Sequence, residues 1–139
     1  MQRKQYVQDF IAHTRRNIFL TGKAGTGKTT LLHYIREHTY KSCIIAAPTG
    51  IAALNAGGTT LHSLFQLPIG SFIPDSMAQL PSTPSQLFVT PRDFRRHVHL
   101  QERKIRLLQA LELLVIDEVS MLRADTLDLV DLVLRSVRR

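Results

Sequence analysis

Apolar positions along the chain follow two alternating rhythms: short unbroken runs, and stripes at helical spacing. Val7, Phe10 and Ile11 fall on one face of a helix over residues 6–13. The run Asn17-Ile18-Phe19-Leu20-Thr21 is apolar and partly β-branched, which predicts a buried strand. Leu31, Leu32 and Ile35 return to helical spacing across 30–37, and Ser42-Cys43-Ile44-Ile45-Ala46-Ala47 reads as a second strand stopped by Pro48. From Gln66 to Pro91 the rhythm fails. That stretch holds five of the six prolines (Pro68, Pro74, Pro81, Pro84 and Pro91), so it reads as an inserted loop or small subdomain, about 66–100. Ile105, Leu108 and Leu111 restore a helical stripe over 100–111. The continuous run 113–117 predicts a parallel strand covered on both faces. A last helix starts near Ala124, with Asp125 and Asp128 in its first turns, and is expected to bury Leu127, Val130, Leu134 and Val137. Strands alternating with helices imply an α/β fold in three layers, a parallel sheet between helices joined by right-handed crossovers. No internal repeat is visible.

Between the first predicted strand and the helix after it stands Gly22-Lys23-Ala24-Gly25-Thr26-Gly27-Lys28-Thr29, a full match to the phosphate-loop pattern G-x-x-x-x-G-K-[ST]. Each fixed position has work to do on a polyphosphate. The glycines let the chain turn so that successive amides face the phosphates, and the helix N-terminus behind them favours anions. Lys28 reaches the β- and γ-phosphates, and the Thr29 hydroxyl is placed to ligate Mg²⁺. A dinucleotide site is the weaker reading, because the glycines run G-x-x-G-x-G.

The run 113–117 ends in two acids, Asp117 and Glu118. A carboxylate at a strand's exit can hold Mg²⁺, and the next one can orient or deprotonate an attacking water. An acidic helix start would look the same in isolation; the phosphate loop upstream favours the ATPase reading. The third constellation runs from Ala47 to Phe65 and is dense in small residues and hydroxyls, including Pro48, Thr49, Gly50, Thr59, Thr60 and His62. Six of the seven glycines lie here or in the phosphate loop, which marks close backbone approach. Free amides, Thr hydroxyls and a His suit a sugar-phosphate backbone. The alternative is tight helix–strand packing with His62 satisfied in the core.

Composition adds limits more than direction. At 139 residues the chain fits one domain, with 44% hydrophobic and 21% charged residues. Cys43, alone in its type and inside an apolar run, excludes a disulfide framework and reads as a small core residue in a reducing compartment. No apolar stretch is long enough to cross a bilayer and the N-terminus lacks a signal-type segment, so a soluble, cytoplasmic protein with no membrane partner is expected. The net charge of +7 favours polyanionic partners. Arg92, Arg95, Arg96, Arg103, Lys104 and Arg106, opposed locally by Asp93 and Glu102, form either a phosphate-contact surface or a solvated face.

The blocks Phe-Leu-Thr-Gly-Lys-Ala-Gly-Thr-Gly-Lys-Thr-Thr (19–30), Ala-Pro-Thr-Gly-Ile-Ala-Ala (47–53), Gly-Gly-Thr-Thr-Leu-His-Ser (57–63) and Ile-Asp-Glu-Val-Ser-Met (116–121) occur in an informative order. Together they resemble the PIF-type DNA helicases, in the RecD-like, 5′-to-3′ branch of helicase superfamily 1. The resemblance implies a P-loop NTPase fold of the RecA-like kind, here incomplete and carrying a Pro-rich insertion. It implies an ATP–Mg²⁺ site built from Gly22, Ala24, Gly25, Thr26, Gly27, Lys28, Thr29, Thr30, Asp117 and Glu118. Thr29 and Asp117 would serve the metal, while Lys28 and Glu118 would serve catalysis. Pro48, Thr49, Gly50, Thr59, Thr60 and His62 would face single-stranded DNA. A glutamine ahead of the first strand would meet adenine, with Gln5 the best-spaced candidate and Gln8 the other.

Such helicases complete the ATP site with arginines from a second RecA-like domain, and this chain stops at Arg139 before that domain. The resemblance therefore implies the front part of a motor that binds ATP with weak or no turnover, and an incomplete sheet whose open edge invites self-association. Two other classes share parts of this pattern. A ring-forming P-loop loader or remodeller would need the two phosphate motifs but not the 47–63 blocks, and a non-enzymatic nucleic-acid-binding fragment would leave the nucleotide site idle.

Overall fold

The computed structural model describes residues 2–75 and 86–139; Pro81 and Pro84 of the proline-rich stretch lie outside the described residues. At its centre β1 (Cys43–Ala47) is flanked by β2 (Thr59–Thr60) and β5 (Leu113–Ile116), giving a parallel sheet of order β2-β1-β5. The short strands β3 (Ser71–Phe72) and β4 (Phe88–Val89) pair separately, also in parallel.

Side-chain alternation along β1 and β5 assigns the covering layers. Ile45, with Leu113 and Val115 beside it, packs on Ile11 of α1 (Gln2–His13) and on Leu32 and Ile35 of α2 (Lys28–His38). Ile44, Ala46, Leu114 and Ile116 face the larger core. That core holds Leu108 of α6 (Glu102–Ala110), Leu129, Val130 and Val133 of α7 (Ala124–Val137), and Leu61, Leu64 and Phe65 of α4 (Leu61–Phe65). Helices thus cover both faces of a parallel sheet. Two further helices complete the order, α3 (Gly50–Ala56) behind β1 and α5 (Phe94–His97) ahead of α6. Among the described residues no helix is long and apolar enough to cross a membrane.

Several expectations are corrected. The strand expected at 17–21 does not form: no backbone hydrogen bond joins it to the sheet, and Ile18, Phe19 and Leu20 are 43%, 77% and 37% exposed. An apolar run becomes a strand only where a neighbouring edge and two covering layers receive it. Here the β5 edge is open and nothing covers Phe19. β5 itself is half-buried throughout rather than enclosed, because it is an edge strand of this sheet. In α7 the buried stripe runs through Leu129, Val130 and Val133, while Leu127 is 44% exposed. Of the stripe expected, Val130 is buried and Leu134 and Val137 pack against the larger core, which adds Leu129 and Val133 and leaves Leu127 outside. Phe10 of α1 is exposed, and Cys43 is half-buried rather than enclosed, since it begins β1 at the sheet's rim. Burial raises its thiol pKa, opposed in part by the Arg36 guanidinium.

Candidate functional site

Residues 21–27 form a loop of turns that opens α2. Gly25 (φ 75°) and Gly27 (φ 81°) stand in the left-handed region, where a side chain costs about 1–2 kcal/mol. At Gly22 a Cβ would lie 2.9 Å from Thr26 Oγ1, so a side chain there would push the Thr26 hydroxyl out of place. The Thr26 hydroxyl donates to the Lys23 carbonyl at 2.8 Å. Lys28 Nζ turns back over the loop, donating to the Gly22 and Lys23 carbonyls at 2.8 and 3.0 Å. No side chain caps α2 at Gly27, so its first-turn amides keep their capacity for an anion, with the helix dipole behind them. Ala24, Thr29 and Thr30 are exposed in and just after this loop. Leu32 and Ile35 seat α2 on Ile45, and only residues 39–42 separate α2 from β1. The two elements therefore run in opposite directions, and the loop lies toward the carboxyl end of β1.

Asp117 and Glu118 leave the sheet at that same end. Ala46 pairs with Ile116, and the Asp117 amide donates to the Ala46 carbonyl at 2.9 Å. Asp117 Oδ1 accepts the Glu118 amide at 2.9 Å, holding one carboxylate oxygen against the turn. Glu118 adopts φ 51°, ψ 41°, a left-handed conformation rare for a residue with a side chain. Strain of about 1–3 kcal/mol at a strand exit is characteristic of residues whose position matters chemically. The Glu118 carbonyl then accepts from Met121 in a 3₁₀ turn, Val119–Met121, and its side chain is exposed.

The third constellation meets β1 from the other edge, Thr59 and Thr60 pairing with Ala46 and Ala47. Thr49 Oγ1 accepts the Ala52 amide at 3.3 Å and caps α3, and Thr60 Oγ1 accepts the Ser63 amide at 3.1 Å and caps α4. Among the described residues neither hydroxyl donates its own proton, so each keeps one donor. His62 is exposed on the first turn of α4, which rules out the core role considered for it. Pro48 and Thr49 are half-buried, and Gly50 is open, with nothing within 4 Å of a Cβ built there. Phosphate loop, acid pair and threonine block are thus gathered around the carboxyl end of one strand, where ligands of open α/β sheets bind.

Of the two glutamines, Gln8 donates to the Tyr34 carbonyl at 3.5 Å, whereas Gln5 is exposed and, among the described residues, its side chain bonds to Asp9 on its own helix. Tyr6, Val7, Phe10, Asn17, Ile18 and Phe19 line an apolar groove between α1 and the segment leading to the phosphate loop. Among the described residues, no group of three or more His, Cys, Asp and Glu forms a metal cage. Mg²⁺ usually takes one or two carboxylates together with substrate phosphates, a demand that Asp117 and the Thr29 hydroxyl suit.

Sequence reasoning missed Arg36, whose guanidinium reaches the Gly57 carbonyl at 2.8 Å. It also missed the two threonine caps, although Ser/Thr ahead of a short helix is a known start signal. The αL residue Gln66 (φ 49°), whose Oε1 accepts the Gln101 amide at 2.7 Å, gave no signal in sequence at all.

A family model described as PIF1-like helicase matches residues 2–139. The ATP-dependent DNA helicase PIF7 of Trypanosoma brucei brucei is 35% identical over 97% of this chain and 12% of its own length. The ATP-dependent DNA helicase Pif1 of a Psychrobacter species is 38% identical over 93% and 18% respectively. Among solved structures, Bacteroides Pif1 in complex with ADP-AlF3 and single-stranded DNA matches with TM-score 0.77 and 44% identity, over 99% of this chain and 28% of that one. The chain therefore spans less than a third of the relatives it matches. The likeness establishes the arrangement as an incomplete P-loop α/β fold of the RecA-like kind.

Proposed function

Because this chain belongs to the PIF1-like helicase family, we propose that it is the nucleotide-binding front part of a DNA helicase motor, joining an ATP–Mg²⁺ site to a single-stranded DNA surface. The observation that carries the reading is the gathering of the phosphate loop, Asp117-Glu118 and the 48–62 block around the carboxyl end of β1. ATP phosphates would lie on the amides of 22–29, with Lys28 turning from the Gly22 and Lys23 carbonyls to the β- and γ-oxygens. Gln5 and the apolar groove beside it would receive the adenine. Thr29 and Asp117 would hold Mg²⁺, which neutralises charge on the phosphates when bound. Glu118 would orient the attacking water, its backbone already set by the left-handed turn. The Thr49, Thr59 and Thr60 hydroxyls, with Pro48, Gly50 and His62, would follow the DNA backbone.

Translocation and unwinding need two motor domains moving against each other. Arginines from a second RecA-like domain are worth ~10³–10⁵ in rate to phosphoryl transfer, so turnover by this chain alone is expected to be weak. The open edge of β5 and the exposed Ile18, Phe19 and Leu20 support pairing with the rest of the motor or with a second copy. The ring-forming class loses its appeal with family membership. The test is calorimetric titration with Mg²⁺–ATP. Lys28→Ala should weaken binding by at least tenfold while leaving the folded state intact, and unchanged affinity would remove the site.

A further inference from the structure

α2 is one rigid rod of 11 residues, with Lys28 and Thr29 in its first turn and Arg36 in its last. Arg36 stands eight positions after Lys28, about 12 Å along the axis. At the far end Arg36 Nη1 donates to the Gly57 carbonyl at 2.8 Å, while Nη2 lies 3.4 Å from His33 Nδ1. Among the described residues this is the hydrogen bond that joins α2 to the 49–62 segment.

Gly57 is the pivot of that segment. It ends α3 in the left-handed region (φ 64°) and donates to the Leu54 carbonyl at 3.1 Å. Gly58 follows, bonded to the Ala53 carbonyl and pressed so closely on β1 that a Cβ there would lie 2.1 Å from the Ile45 carbonyl oxygen. Thr49 caps the other end of α3, and Thr59 and Thr60 begin directly after Gly58. A shift of α2 is therefore delivered to the joint between two DNA-facing pieces, and the packing behind Gly58 leaves that joint little room to yield.

We propose that Arg36 is a positioning residue that couples the nucleotide site to the DNA surface, acting through the Gly57 carbonyl rather than by touching either ligand. The inference rests on the reading above that ATP occupies the phosphate loop and single-stranded DNA the 48–62 block. Coupling between two sites is typically 5–150-fold in affinity.

The experiment measures affinity of the 139-residue chain for a fluorescein-labelled oligo-dT of about 15 nucleotides, by anisotropy, with and without saturating Mg²⁺–AMP-PNP. The unaltered chain should show a change of about fivefold or more between the two conditions. Arg36→Gln should bring that ratio to within about twofold of unity, with nucleotide affinity and nucleotide-free DNA affinity each kept within about twofold. Arg36→Lys, which retains the charge and one donor, should give an intermediate ratio; it also decides the matter if Arg36→Gln does not fold. A merely structural arginine would lower stability without moving the ratio. Coupling that persists undiminished in the folded variants overturns the inference alone, as does an unaltered chain that binds both ligands independently. An unaltered chain that binds neither ligand overturns the functional reading and the inference with it.

Discussion

Gly58→Ala is the sharpest test of the packing that seats the threonine block. The added Cβ would stand 2.1 Å from the Ile45 carbonyl oxygen, 2.8 Å from its carbon and 3.2 Å from its Cβ, where ordinary contact begins at 3.4 Å. Relief requires a shift of more than about 1 Å, an amount that close-packed interiors resist. Ile45 cannot supply it. It is 3% exposed, pairs with Val115 on its other side and packs on Leu32 and Ile35. The movement falls instead on residues 58–60, whose ladder with Ala46 and Ala47 would be stretched apart. Losing that ladder of two paired residues, about two bonds at about 1 kcal/mol each, together with overpacking strain of about 1–3 kcal/mol, gives a destabilisation of about 3–5 kcal/mol. For a chain of this size that lowers Tm by on the order of 10 °C. Thermal unfolding followed by circular dichroism reads the effect, with two glycines as internal references. Gly57→Ala meets a left-handed φ and an Arg36 nitrogen at 3.1 Å, so it should cost about 1–2 kcal/mol. Gly50→Ala meets open space in the first turn of α3 and should be neutral or slightly stabilising. If Gly58→Ala melts within about 2 °C of the unaltered chain, the close approach of this loop to β1 is wrong.

Two further outcomes follow from polar contacts away from the glycines. Asp125 accepts the Phe72 amide at 3.0 Å and also pairs with Arg123, so Asp125→Ala strands a partly buried N–H and should cost about 1–3 kcal/mol in urea unfolding; a loss under about 0.5 kcal/mol refutes that anchoring role. For Asp93, burial works against ionisation, but the Thr90 amide and hydroxyl and the nearby His97 outweigh it and hold the carboxyl pKa below the usual carboxylate range. The unfolded chain then takes up the proton at higher pH, so the contribution of Asp93 is present above about pH 4 and is lost as pH falls through its folded-state pKa. Asp93→Asn should flatten stability against pH over that acid range, and an unaltered slope would show that the Thr90 contacts do not matter.

Legibility in the sequence varied with how local each feature was. The phosphate loop could be read because glycine tolerance, a lysine and a hydroxyl at fixed spacing answer to one kind of ligand, and Gly25 and Gly27 take the left-handed backbone that only glycine adopts freely. Strand β1 could be read for a similar reason, as an apolar run ended by Pro48. The segment 17–21 failed because its pattern records a requirement for cover rather than the presence of cover. Leu127 failed because helical spacing allows neighbouring stripes, and the choice between them belongs to the opposing core. The short helix α4 is apolar at Leu61, Leu64 and Phe65 within five residues, too few to separate helix from strand by period alone.

By itself the sequence determined the chemistry: which residues can face a polyphosphate, where the acids leave a strand, and which family the order of blocks resembles. Tertiary structure decided what lies next to what. It brought Thr59 and Thr60 beside Ala46, turned His62 outward, set Glu118 in a left-handed turn, and laid Arg36 on the Gly57 carbonyl. The physical reason is range. Backbone preference and side-chain chemistry act within a few residues, whereas Arg36 and Gly57 lie 21 residues apart and meet only once α2 has packed on one face of β1 and β2 has paired along its edge.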